Sequence, residues 1–281
     1  MLSDYNLNIP CGTAILRGTI RGKQGGGSAL LLLHGRNGDH TDWQLQLEGL
    51  SDELTVLAVD ARGMGRSTAG TEPYTMERLV DDCIAILDAC DIDRAVIMGL
   101  SMGGGIAQEV ALRFRSRVAG LILVSTSSEF SPQTRSRFIQ EAEEIEATGI
   151  ISDDLIERMA SKWYTETFLE EHGSELVEVR AKMARTDPQI YALRCRINAE
   201  RNLTDSLSQI EVPVLYVGGA ADPAGAEANA RAFSSALPQT QIAILPDVSH
   251  CLQREAPELL NELVREFFRK EREHFKHSPP A

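Results

Sequence analysis

The stretch Ala95-Val96-Ile97-Met98-Gly99-Leu100-Ser101-Met102-Gly103-Gly104-Gly105-Ile106-Ala107 decides the fold. Its first four residues are apolar without alternation, as a strand buried on both faces requires. Residues 99–103 then read G-x-S-x-G, and the small residues Gly104, Gly105 and Ala107 follow. A strand that turns sharply into a closely packed helix lifts a serine hydroxyl off the end of a sheet, where it can act as a nucleophile. The five letters alone mark many glycine-rich turns. The strand before them and the small residues after them carry the reading.

Working outward, similar apolar runs recur at residues 29–33, 55–60, 118–125, 212–218 and 241–245. Helices are expected between them, at 43–54, 76–90, 102–112 and 226–237, and from Pro257 onward. Thr75 is placed to cap the second of these. Leu79, Val80, Cys83, Ile84, Ile86, Leu87 and Cys90 give it an apolar face, and Leu259, Leu260, Leu263, Val264, Phe267 and Phe268 form the stripe of the last helix. Residues 1–24 read as an edge hairpin, with Gly25-Gly26-Gly27 turning into the next strand. Strands alternating with amphipathic helices predict an α/β fold, a parallel sheet covered on both faces. The pattern changes at about residue 128. From there to about 209 no buried strand is expected, and helices are predicted at 138–147, 153–168, 175–183 and 188–199. Trp163, Tyr164, Phe168, Met183 and Leu193 need something to cover, so this segment reads as a helical insertion over one end of the sheet. The division is a core domain of 1–127 and 210–281 with a cap at 128–209.

Composition narrows the function classes. The 281 residues are 43% hydrophobic, enough for a sizeable core, and the net charge is -13. With no block of Lys or Arg, that charge argues against nucleic acid. No apolar run reaches membrane-spanning length, so no membrane partner is expected. Met1-Leu2-Ser3-Asp4-Tyr5 lacks a basic segment leading into an apolar one, so no secretory signal is expected and a cytoplasmic location follows. Cys11, Cys83, Cys90, Cys195 and Cys251 contain no C-x-x-C pair and read as reduced thiols. The six histidines are scattered, so no metal is expected. No phosphate-cradling glycine pattern occurs, so no cofactor is expected either.

A serine hydroxyl needs a base to take its proton, and the base needs an orienting acid. His250, in the loop Pro246-Asp247-Val248-Ser249-His250 after the last strand, is the candidate base. Asp222, after Gly218-Gly219-Ala220-Ala221, is the candidate acid. Asp247 is its rival, but it stands three residues from His250 on the same loop. Ser101, Asp222 and His250 all fall just beyond predicted strand ends, where open parallel sheets place their sites. Two main-chain N–H groups should meet the oxyanion, and those of Met102 and Arg36 are the candidates. His34, Trp163, Tyr164 and Arg194 are candidate pocket residues, and His34, at a strand end, also reads as a structural support for the loop at Gly35-Arg36. Lys162, Arg194 and Arg196 are candidate cations for an acidic substrate.

Together these features resemble the alpha/beta-hydrolase superfamily over nearly the whole chain. The resemblance is carried by His34-Gly35, by Asp60-x-Arg62-Gly63-x-Gly65-x-Ser67, by residues 99–103, and by Asp222 and His250. Within the superfamily, Gly99-Leu100-Ser101-Met102-Gly103-Gly104-Gly105-Ile106-Ala107-Gln108 and the run at 118–125 are similar to small carboxylesterases and 3-oxoadipate enol-lactonases. The resemblance implies a mostly parallel eight-stranded sheet with an inserted helical cap as lid. It implies Ser101 as nucleophile, His250 as base and Asp222 as orienting acid, acting on a small ester or lactone. Carbon–carbon hydrolysis of a vinylogous diketone and a non-catalytic ligand receptor on the same scaffold are the alternatives. A homodimer stays open. Gly219-Ala220-Ala221 departs from the more polar residues of many relatives.

Overall fold

The computed structural model describes residues 5–22 and 28–276. The glycine turn expected at residues 25–27 lies outside the described residues. Strands β1 (Tyr5–Cys11) and β2 (Ala14–Arg21) pair antiparallel as a hairpin. Then come β3 (Ala29–Leu33), β4 (Thr55–Asp60), β5 (Ala95–Leu100), β6 (Val118–Val124), β7 (Val214–Gly219) and β8 (Gln241–Leu245). They form one eight-stranded sheet in the order β1-β2-β4-β3-β5-β6-β7-β8. β2 runs antiparallel to β4, and every later pairing is parallel.

The core helices are α1 (Gln44–Leu50), α2 (Met76–Ala89) and α3 (Met102–Arg113). Five helices between β6 and β7 build the cap: α4 (Pro132–Thr148), α5 (Asp153–Trp163), α6 (Glu166–Glu171), α7 (Ser174–Arg185) and α8 (Pro188–Glu200). The chain returns to the core with α9 (Ala226–Ala236), α10 (Leu252–Glu255), α11 (Pro257–Lys270) and α12 (Arg272–Lys276).

The continuous apolar strands have a direct consequence. Leu31 and Leu33 of β3 pack with Leu79, Val80 and Ile86 of α2 and Ile106 and Val110 of α3. Leu30 and Leu32 face the other way, onto Leu47 of α1 and Leu260 and Val264 of α11. Each fully buried leucine of this kind contributes about 1.5–3 kcal/mol. The cap has a third cluster of its own, around Phe138, Ile145, Met159, Met183 and Tyr191. Among the described residues no helix is long and apolar enough to cross a membrane.

Three expectations need correction. Leu259 is 53% exposed. On α11 the buried residues are Leu260, Val264, Phe267 and Phe268, and Leu259 falls a third of a turn off that stripe. The helix expected at 153–168 is two helices. Tyr164 is extended (φ -128, ψ 153), and the Thr165 side chain caps α6. The helix expected from 138 starts six residues earlier, at Pro132, with Ser131 as its cap.

Candidate active site

The elbow is strained in the way its sequence requires. Ser101 sits at φ 54, ψ -109, a region costly for a residue with a side chain. The turn is held by its main chain: Ser101 N–H donates to Val124 O (2.9 Å). The Thr126 hydroxyl donates to Ser101 O (2.6 Å). The glycines on either side permit a close crossing. A Cβ on Gly99 would stand 2.3 Å from the Gly103 carbonyl carbon, and one on Gly103 would stand 2.2 Å from Leu33 O. So α3 starts almost in contact with β3, with Ser101 at the carboxyl end of β5.

Asp222 follows β7 and His250 follows β8. Ala221 N–H donates to Val248 O (3.0 Å), which joins the two loops. His250 Nδ1 lies 2.8 Å from Asp222 Oδ2. The buried Asp222 carboxylate also accepts from Ala224 N–H (2.8 Å), which fixes its plane. A carboxylate accepts, so the proton sits on Nδ1 and Nε2 is left for another partner. The pairing is with Asp222, not with Asp247.

The loop after β3 comes next. His34 is buried. Ala61 N–H donates to its Nε2 (3.0 Å), so Nδ1 carries the proton and donates to Gly35 O (2.7 Å). Burial, assisted by the Arg194 charge, holds His34 below the ordinary histidine value, so it stays neutral. His34 is therefore a brace beneath the loop, not a pocket residue. The Arg36 guanidinium enters the cap. It donates to Glu141 (2.8 Å) and Cys195 Sγ (2.9 Å) and lies 4.6 Å from the Phe138 ring centre. Among the described residues, neither Arg36 N–H nor Met102 N–H has an acceptor.

Ser101, Asp222, His250, Gly35 and Arg36 line one cavity of about 510 Å³ between core and cap. Trp163 and Tyr164 line it too, as does Lys162. Arg194 does not: it is fully buried and its guanidinium reaches the carbonyls of Gly35 and Arg36. Arg196 also lies elsewhere, paired with Glu146 (2.5 Å) at the cap surface. The remaining lining cations are matched by carboxylates. Lys182 meets Asp42, and Arg254 meets Glu175.

Several residues that hold the site together were not anticipated. Glu255 accepts from Ser249 N–H (2.5 Å) and Thr165 N–H (2.5 Å), joining the His250 loop to the α5–α6 junction. Cys251 N–H donates to Trp163 O (2.9 Å) at the same seam. Arg62, expected only as part of a glycine-rich loop, is fully buried and bidentate on Asp82 (2.6 and 2.5 Å). Scattered histidines gave no hint of a ligand cluster, yet Asp39, His40 and Asp60 gather within 4.8 Å. His40 and Asp60 are engaged with each other and with Arg66, while Asp39 accepts from Thr41 and meets Lys182. His40 Nδ1 meets Asp60 (2.7 Å), and Arg66 donates to His40 Nε2 (2.9 Å). All five cysteines are unpaired.

A serine on a strained strand-to-helix turn, a histidine held by a carboxylate, and a cap over both define a class. Over residues 28–257 the chain matches the alpha/beta hydrolase fold family, and it belongs to that family. Its relatives include lactonases and esterases. The 3-oxoadipate enol-lactonase 2 of Acinetobacter baylyi is 28% identical over 226 residues, 79% of this chain and 81% of that one. The solved enol-lactonase of Burkholderia xenovorans LB400 superposes with a TM-score of 0.85 at 26% identity, covering 94% of this chain and 100% of its own. A thermophilic esterase from Thermogutta terrifontis gives a TM-score of 0.83 at 29% identity, covering 95% and 98%.

Proposed function

We propose that this protein is a serine hydrolase that cleaves small carboxylic esters or lactones through an acyl-enzyme on Ser101. The observation that carries the reading is the 2.8 Å contact between His250 Nδ1 and Asp222, in a cavity that also holds Ser101. Asp222 fixes the tautomer, so Nε2 is the nitrogen that takes the Ser101 proton. The hydroxyl oxygen attacks the carbonyl. The N–H groups of Met102 and Arg36 receive the oxyanion, and a donor of this kind is worth about 3–4 kcal/mol in mutational tests. His250 then protonates the leaving oxygen, which stays on the same molecule when the substrate is a lactone. Water, activated by His250, releases the acid.

The lactonase and esterase relatives support the ester or lactone carbonyl as the reacting group. Cap residues Trp163 and Tyr164 wall the cavity, and Lys182 and Arg254 on its lining are paired with carboxylates within the protein. The test is fluorophosphonate labelling followed by steady-state hydrolysis of short aryl esters and lactones. A single adduct on Ser101 is expected, with loss of turnover in Ser101→Ala to a small residual rate. Unchanged hydrolysis by Ser101→Ala would sink the reading.

A further inference from the structure

Arg194 stands on α8, inside the cap, with its side chain fully buried. A cation taken out of water is costly unless it is paired. Yet Arg194 meets no carboxylate among the described residues. Its Nε donates to Arg36 O (2.8 Å) and its Nη2 to Gly35 O (3.1 Å). Nη1 donates to the Tyr74 hydroxyl (2.9 Å), which itself donates to Arg62 O (3.2 Å). An apolar side chain of similar size would fill this space at lower cost. The arrangement needs a reason beyond packing, and peptide geometry supplies one.

The peptide between Gly35 and Arg36 is trans and planar, so its C=O and N–H point in opposite directions. Whatever holds the Gly35 carbonyl aims the Arg36 N–H. Three donors converge on that carbonyl: Arg194 Nη2, His34 Nδ1 (2.7 Å) and Gly38 N–H (3.3 Å). The same guanidinium fork takes the next carbonyl, Arg36 O, so both peptide planes flanking the Arg36 Cα are held by one rigid group. A cation behind the carbonyl also polarises the peptide and strengthens the N–H as a donor.

We propose that Arg194 is a positioning residue for the oxyanion site: from the cap, it fixes the direction of the Arg36 N–H through the Gly35 carbonyl. The cap would then complete the reactive centre as well as wall the pocket. This inference rests on the hydrolytic reading above.

The experiment compares wild type, Arg194→Lys and Arg194→Met in three measurements. These are hydrolysis of an aryl acetate, inhibition by an aryl boronic acid that becomes a tetrahedral anion on Ser101, and inhibition by the product carboxylate. Lysine keeps the charge but loses the fork. We expect kcat to fall about tenfold to a hundredfold in Arg194→Lys, and further in Arg194→Met, with KM within about twofold. Boronate affinity should weaken by the same factor as kcat/KM, while product affinity stays level. A merely structural role would not separate boronate from product. A folded variant with unchanged kcat and boronate affinity overturns the inference, as does a rise in KM alone. If neither Arg194 variant folds, Tyr74→Phe carries the test, since it removes the hydroxyl that steers Nη1 at the further loss of one bond to Arg62 O. Its boronate affinity should drop about twofold to fivefold, and no drop overturns the inference. Absence of ester hydrolysis in the wild type overturns the hydrolytic reading, and this inference with it.

Discussion

Replacing Gly103 by alanine adds one carbon at the tightest point of the elbow. That carbon would stand 2.2 Å from Leu33 O, 2.7 Å from the Leu33 carbonyl carbon and 2.8 Å from His34 O. All three are main-chain atoms, so no side chain can rotate away. An ordinary contact lies near 3.5 Å, so the start of α3 must retreat from β3 by about 1 Å. Overpacking of this kind costs about 1–3 kcal/mol, and alanine returns up to about 1 kcal/mol through its helix propensity. The protein should therefore fold. Activity should suffer far more. Met102 N–H and the Ser101 hydroxyl ride on the displaced turn, and a misplacement of about 1 Å costs about a hundredfold in rate. The assay is aryl acetate hydrolysis per fluorophosphonate-titrated site, with a thermal melt on the same sample. Wild-type kcat/KM in a folded Gly103→Ala protein would refute the close-packing account of the elbow.

Two further outcomes follow from the buried charges. Asp82→Asn leaves the fully buried Arg62 with only the longer 3.7 Å contact to Glu72, and should destabilise the protein by about 3 kcal/mol in urea unfolding; a loss under about 1 kcal/mol would count against the pair as a structural anchor. Burial raises the Asp39 carboxyl, but Lys182 of the cap and the donors of Thr41 outweigh it, so the group is held below the usual carboxylate range. Its contribution is then complete above the unfolded value of about 3.9 and is lost as pH falls through the lower folded value. The difference in melting temperature between wild type and Asp39→Asn should shrink as pH drops from about 5 to about 3, and a constant difference would contradict the assignment.

The parts of this protein that were legible in sequence share a cause. Leu30 to Leu33 and Val96 to Met98 are apolar on both faces because helices cover both sides, and short unbroken runs closed by glycine fit strands of that kind. The elbow was legible because close approach of α3 to β3 tolerates nothing larger than glycine at Gly103. Asp222 and His250 stood out because each follows a strand end. What stayed hidden depends on contacts between distant segments. The break at Tyr164 has no proline or glycine to announce it, and it arises because Glu255, 90 residues further on, takes the Thr165 N–H. Arg194 looked like a pocket cation because periodicity places it on a helix but says nothing of depth. The support that His34 gives the loop at Gly35-Arg36 could be read from its place at a strand end, but the bond from Ala61 N–H that fixes its ring could not.

The Arg36 guanidinium is lodged between Glu141 and the Phe138 ring, while its main chain belongs to the loop after β3. That interlock limits how such proteins can diversify. A lid without a carboxylate and an aromatic ring at these places would bring new walls but no seat for this side chain. Recombination at the two lid junctions alone should therefore yield chimaeras with a disordered loop, unless the loop after β3 travels with the lid as one inherited unit.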